Sequence, residues 1–201
     1  MNLSPIKETF GQDNQTWLGS AHGTSSADTA TLDLTTFTQA VHYPNGYLPS
    51  GTPLAKITSS GKYGPYEATG SVTASTTAGS TTLTATTGTF NSVEVGDVVS
   101  GAGIPGGTVV DSVTDATHVV MSQAATATAT GVAVALGDSS GRETLAGFLL
   151  TPVRVVVYGS GAVEASASGP ILLHGEVVQA NLPFPIDAAG IANVAGRIIF
   201  V

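Results

Sequence analysis

The sequence predicts a mainly β protein with one short helix, and three observations carry that prediction. β-Branched runs such as Val153 to Val157 favour strand over helix. Between residues 70 and 137, short strand-like pieces alternate with turn residues at close spacing, which suggests a small antiparallel sandwich or barrel. Thr126-Ala-Thr-Ala-Thr130 alternates strictly, as in a strand with Thr on one face and Ala on the other. The expected architecture is a compact β-rich core plus an inserted small antiparallel β-sandwich or barrel.

Residues 1 to 40 are polar, with sparse apolar residues: Phe10, Trp17, Leu18, Leu32, Leu34 and Phe37. Alone, such a segment buries too little surface to offset its ordering entropy. It reads as a disordered tail or as an arm that orders on a partner. Thr31 to Thr38 alternates with Leu32 and Leu34, which suits a strand added to another sheet's edge.

Residues 41 to 69 begin with Tyr43-Pro-Asn-Gly-Tyr47, a turn signal through Asn45-Gly46. Leu54 to Thr58 reads as a short strand. Gly61-Lys-Tyr-Gly-Pro-Tyr66 reads as a turn carrying two aromatic rings. The aromatic residues Trp17, Tyr43, Tyr47, Tyr63 and Tyr66 fit either core or subunit contact.

Residues 70 to 137 are almost wholly Thr, Ala, Val, Ser and Gly, with no Lys or Arg. Strand-like pieces lie near 81–86, 98–100, 108–113, 118–122 and 131–136. Gly70 and Gly137-Asp-Ser-Ser-Gly141 flank the segment as flexible junctions. The predicted organisation is an arm at 1–40, a core from 41–69 and 138–201, and an inserted β domain at 70–137.

Residues 142 to 201 return to a more usual composition. Phe148 to Leu150, Val153 to Tyr158, Ile171 to Val178 and Arg197 to Val201 read as strands, and Ser160 to Gly169 as a small-residue loop. Asp187 to Val194 forms the one expected helix, with Asp187 as its N-cap and Gly196 just beyond it.

Composition narrows the function. The 201 residues include six basic and fourteen acidic side chains, for a net charge of −8, and only 10% are charged. Soluble domains ordinarily carry roughly 25% charged residues. The six basic residues are scattered singly, without the basic patch of a nucleic-acid binder. There is no cysteine, which excludes disulfides, Cys-ligated zinc and thiol catalysis. The first ten residues lack the apolar stretch of a signal peptide, and no apolar run reaches the roughly 18 residues of a membrane span.

Signals of chemistry are equally sparse. His22, His42, His118 and His174 lack helical metal-pair spacing, and no HExxH, GxSxG, P-loop or GxGxxG pattern occurs. Gly101 to Gly107 is Gly-rich, but no helix follows it. Asp97, Asp111 and Asp115 are the one set that could gather around calcium, without any EF-hand pattern. No metal, cofactor or catalytic residue is expected.

Four stretches, in order, resemble the lambda-type phage head decoration protein family. They are Lys7-Glu-Thr-Phe10, then Leu54-Ala-Lys-Ile-Thr-Ser-Ser-Gly-Lys-Tyr-Gly-Pro-Tyr66, then Gly141-Arg-Glu-Thr-Leu-Ala-Gly-Phe-Leu-Leu150, and last His174-Gly-Glu-Val-Val178 with the end Gly196-Arg-Ile-Ile-Phe-Val201. In the family the second stretch runs almost directly into the third. Here residues 70 to about 137 intervene, a departure that puts subunit geometry in question. The insert, with Gly96-Asp-Val-Val-Ser-Gly-Ala-Gly-Ile-Pro-Gly-Gly-Thr108, is similar to small β modules of other virion surface proteins.

The resemblance implies a structural, non-enzymatic protein made in the host bacterial cytoplasm and carried on the outer capsid surface of the virion. Its partner would be the major capsid protein, its assembly a homotrimer, and its arm a strand added to that partner. On this reading Phe10, Trp17, Leu32, Leu34 and Phe37 contact the capsid, and removing residues 1–37 is expected to abolish binding while leaving the core folded. Nucleic-acid and membrane partners are not expected. Two rivals stay open: an adhesion module that binds host-surface glycans through the insert, and a virion-associated hydrolase.

Overall fold

The computed structural model of the chain describes residues 13–68, 71–87, 90, 93–137, 140–157 and 162–201. It is mainly β. Four strands precede the Thr-rich segment: β1 (Asp28–Asp33), β2 (Tyr47–Leu48), β3 (Pro53–Lys56) and β4 (Tyr63–Pro65). Six lie within it: β5 (Ser71–Thr76), β6 (Thr82–Thr87), β7 (Val98–Gly101), β8 (Val110–Asp115), β9 (His118–Met121) and β10 (Ala129–Gly137). Five follow: β11 (Leu145–Leu149), β12 (Val153–Arg154), β13 (Ser166–Leu172), β14 (Gly175–Val177) and β15 (Ile198–Phe200). Two short helices, α1 (Gln39–His42) and α2 (Ala188–Asn193), complete the regular structure with three 3-10 turns.

Strands β1, β13, β11, β3 and β4 form a closed barrel in that order. Closure comes from β1, which pairs antiparallel with β13 from Asp28–Ile171 to Asp33–Ser166 and meets β4 in parallel at Leu32–Tyr63. Alternation explains why β11, β3 and β13 look continuously apolar. Leu149, Leu54 and Ile171 point into one cluster with Leu32 and Leu48. Their chain neighbours Phe148, Ala55 and Leu172 point the other way, into a second cluster with Trp17, Val177 and Ile198. A strand buried on both faces has no polar side to show.

The second cluster is roofed by α2 and by a small parallel pair, β14–β15. Asp187 starts α2, with its carboxylate accepting the Gly190 N–H at 2.8 Å. This is the helix that the sequence predicts. The additional helix α1 is one turn held by a Thr38 N–H bond to His42 Nδ1 of 2.9 Å.

Strands β5 to β10 form a separate six-stranded sheet in the order β7-β10-β5-β6-β9-β8. It curls until its two edges meet at a Val98–Val109 bridge. Its core is its own, built on Val72, Leu83, Phe90, Val99, Val119, Met121 and Val134.

Several local expectations need correction. Residues 28–33, read from the sequence as part of an arm, are a barrel strand. Residues 63–65, read as a turn, form β4. Residues 166–169, read as loop, belong to β13. Their small side chains are required there, because a Cβ on Gly169 would come within 2.7 Å of Val153 Cγ2. The alternating Thr126 to Thr130 is strand only from Ala129 onward; Thr126 N–H instead bonds Gly103 O at 2.8 Å, and Ala127 O accepts from Thr76 Oγ1. Ile171 to Val178 is broken between Leu172 and Gly175. The expected strand end at Tyr158 lies outside the described residues.

Candidate functional site

The five residues expected to touch a capsid separate into two groups. Phe10 lies outside the described residues. Trp17, Leu32, Leu34 and Phe37 are core residues, 0 to 4% exposed. Leu32 projects from β1 into the barrel, and Leu34 and Phe37 follow it into the same cluster. Trp17 donates its indole N–H to Ser50 Oγ at 2.8 Å, and Ser50 Oγ donates to Leu150 O at 2.9 Å. The indole lies so close over Gly51 that a Cβ there would be 2.8 Å from the ring, and Gly51 has φ +84°. The expectation that these four side chains are free to contact another protein is therefore corrected. Their apolar surface serves this chain's own folding, each contributing roughly 1.5–3 kcal/mol of burial.

Of the candidate metal-ligating side chains, Asp97 and Asp115 are engaged locally. Among the described residues, no three His, Asp or Glu side chains gather as a metal site. Asp97 is engaged in a turn, accepting the Glu94 N–H at 2.8 Å. Asp115 accepts from Thr117 N–H at 2.7 Å and bonds His118 Nδ1 at 2.9 Å. The Thr117 and His118 bonds hold its carboxyl down to about 2, as for a group that stabilises a turn in its charged form. Tyr66 Oη donates to Asp187 Oδ1 at 2.5 Å; burial first, then this bond, pushes the phenol well above its usual range.

The most distinctive surface is the outer face of the β14–β15 pair. Residues 17–19 run antiparallel along β14 through the Leu18–Val177 bridge and a Gly19 N–H bond to Glu176 O of 2.9 Å. The resulting ribbon buries Val177 and Ile198 and turns the alternate residues outward. Ser20, His22, His174, Glu176, Arg197 and Ile199 line a groove of about 460 Å³. The His22 and His174 rings stand edge to face at 5.5 Å, and His174 Nε2 lies 3.1 Å from Ser26 Oγ. Beside them, Ile199 and Val201 are 66% and 60% exposed.

Comparison with family models, curated proteins and solved structures finds no match.

This face thus exposes Ile199 beside a groove that carries one acid, Glu176, and one base, Arg197. Sequence reasoning placed the strand 197–201 but not this face. The signal was the alternation Arg197, Ile199, Val201. Its register against Glu176 depends on a pairing between segments some twenty residues apart, which alternation does not specify.

Proposed function

We propose that this protein decorates the head of a lambda-type phage, binding the outer surface of the expanded major capsid shell and stabilising it without any chemical step. One observation carries the reading beyond the sequence resemblance. The Glu67 N–H bonds the Arg142 C=O at 3.0 Å, and Thr58 N–H bonds Ser140 O at 2.8 Å. The second and third family-like stretches are thus neighbours in the barrel, although residues 70–137 come between them in the sequence. Among the described residues strands β5 to β10 pair with one another and not with the barrel, as expected if the two stretches form the barrel without the insert.

On this reading the protein acts as a homotrimer in which many equivalent contacts work together. Binding the expanded shell and not its precursor stabilises the expanded state by mass action. Shell contact by Trp17, Leu32, Leu34 and Phe37 is not part of the proposal, because those side chains are spent on the core. Phe10 is the member of the expected set that stays in it.

The glycan-adhesion rival has less support. Phe90, the single aromatic residue of 70–137, is 1% exposed and offers no stacking platform for a sugar.

Co-sedimentation with expanded and unexpanded heads that lack the protein tests the proposal. Saturable binding to expanded heads alone is expected. Equal binding to both, or to neither, overturns it.

A further inference from the structure

We infer that the outer face of β14–β15 is the interface between copies of this chain. The inference rests on the multi-copy part of the reading above and not on the identity of the capsid partner.

Three features of the face point to a second copy. First, large apolar side chains are exposed here: Ile199 in β15 is 66% exposed, and Val201, just beyond that strand, is 60% exposed. Second, β15 has a strand on one side only among the described residues. Gly175 N–H bonds Arg197 O, and Val201 N–H bonds Val177 O, both at 3.0 Å, so the inner edge is engaged. Of the outward groups the Ile198 N–H bonds Val194 O at 3.0 Å, and among the described residues those of Phe200 are left for water or a partner. A bare apolar edge is a liability that folded proteins ordinarily cover.

Third, the charges select the occupant. A chain of net charge −8 repels its own copies, so a contact between copies must fall where no excess of acid accumulates. This face carries one acid, Glu176, and one base, Arg197. The Glu176 carboxylate lies against Gly19 and forms no ion pair among the described residues. Arg197 Nη1 holds two carbonyls, Leu173 O at 3.2 Å and Ala146 O at 3.3 Å, and among the described residues no carboxylate. In a closed ring each copy's Arg197 can face the next copy's Glu176, with Ile199 packed beside them. A membrane or nucleic acid would instead require a basic face.

Sedimentation velocity of the purified chain without heads tests the inference. Wild type is expected to sediment as an oligomer. Ile199→Asp and Glu176→Arg should each weaken association at least tenfold with an unchanged circular dichroism spectrum. The double variant Glu176→Arg, Arg197→Glu should recover association relative to Glu176→Arg alone. A monomeric wild type, or variants that associate as wild type does, overturns the inference. If oligomers are unchanged but Ile199→Asp loses head binding, the face belongs to the shell and the inference fails. If oligomers dissociate as expected but wild type binds no heads, the inference stands and the decoration proposal falls.

Discussion

Arg142 reaches from the barrel to the six-stranded sheet, its Nη2 2.7 Å from Glu94 Oε2 while its Nη1 lies 2.7 Å from Glu67 Oε1. The guanidinium is 2% exposed, and its Nε bonds Ser140 Oγ at 2.9 Å. One side chain thus ties both connections of the inserted segment to a residue within it. A planar fork suits this task better than a lysine. Arg142→Met should cost about 2 kcal/mol, less than the roughly 3–5 kcal/mol of a fully buried pair because both carboxylates keep some solvent. Glu94 is 59% exposed, so Glu94→Gln should cost under about 1 kcal/mol. Urea denaturation measures both, and equal small losses would contradict the central role of the arginine.

Tyr66 links the second family-like stretch to α2. Its hydroxyl donates to Asp187, and its ring lies against Gly190, where a Cβ would approach to 2.8 Å. Tyr66→Phe should cost about 1–3 kcal/mol through the lost charge-assisted bond. The raised phenol pKa means that this contribution is complete below the unfolded value near 10 and is lost as pH rises through the folded value. Ultraviolet titration should show a tyrosine ionisation that occurs only as the protein unfolds, and Tyr66→Phe should lack that step.

His42 gives the opposite end of the pH range its sensitivity. Burial holds its pKa below the usual imidazole value. The ring is packed edge-on between Phe37, at 5.6 Å, and Phe184, at 5.2 Å. The folded protein therefore favours neutral His42. Its contribution is complete above about pH 6.5 and declines as pH falls, because the unfolded chain takes up the proton first. Melting temperature should drop from pH 7.5 to 5.5, with a shallower drop in His42→Asn. Identical slopes would assign the effect elsewhere.

Strand β1 gives the N-terminal region a structural role that truncation can test. Removing residues 1–37 should abolish cooperative unfolding, because it opens the barrel and deletes Trp17, Leu32 and Leu34 from the core. A folded 38–201 fragment with native near-ultraviolet dichroism would contradict this assignment.

Local chemistry made some elements legible. Asn45-Gly46 marked a turn, and Gly46 indeed has φ +81°. Asp187 marked a helix start because its side chain satisfies a free N–H within the next turn. Five of the six strands of 71–137 were visible because Thr and Val runs are cut by Gly, whereas β5 (Ser71–Thr76) was not read as a strand. The barrel was less legible, because β1 pairs with a strand more than 130 positions away and its alternation names no partner. A short polar segment with five buried side chains, Trp17, Ala30, Leu32, Leu34 and Phe37, looks, in sequence, like an arm. The glycines of β13 and β4 read as turn signals when they mark close packing: a Cβ on Gly64 would lie 2.8 Å from Thr36 Oγ1.

Thermal disruption of expanded heads that lack this protein, with and without saturating amounts of it added, tests the stabilising role most directly. The account predicts a disruption temperature that rises with occupancy and levels off when the sites are filled. Heads that bind the protein to saturation yet disrupt at an unchanged temperature would contradict it.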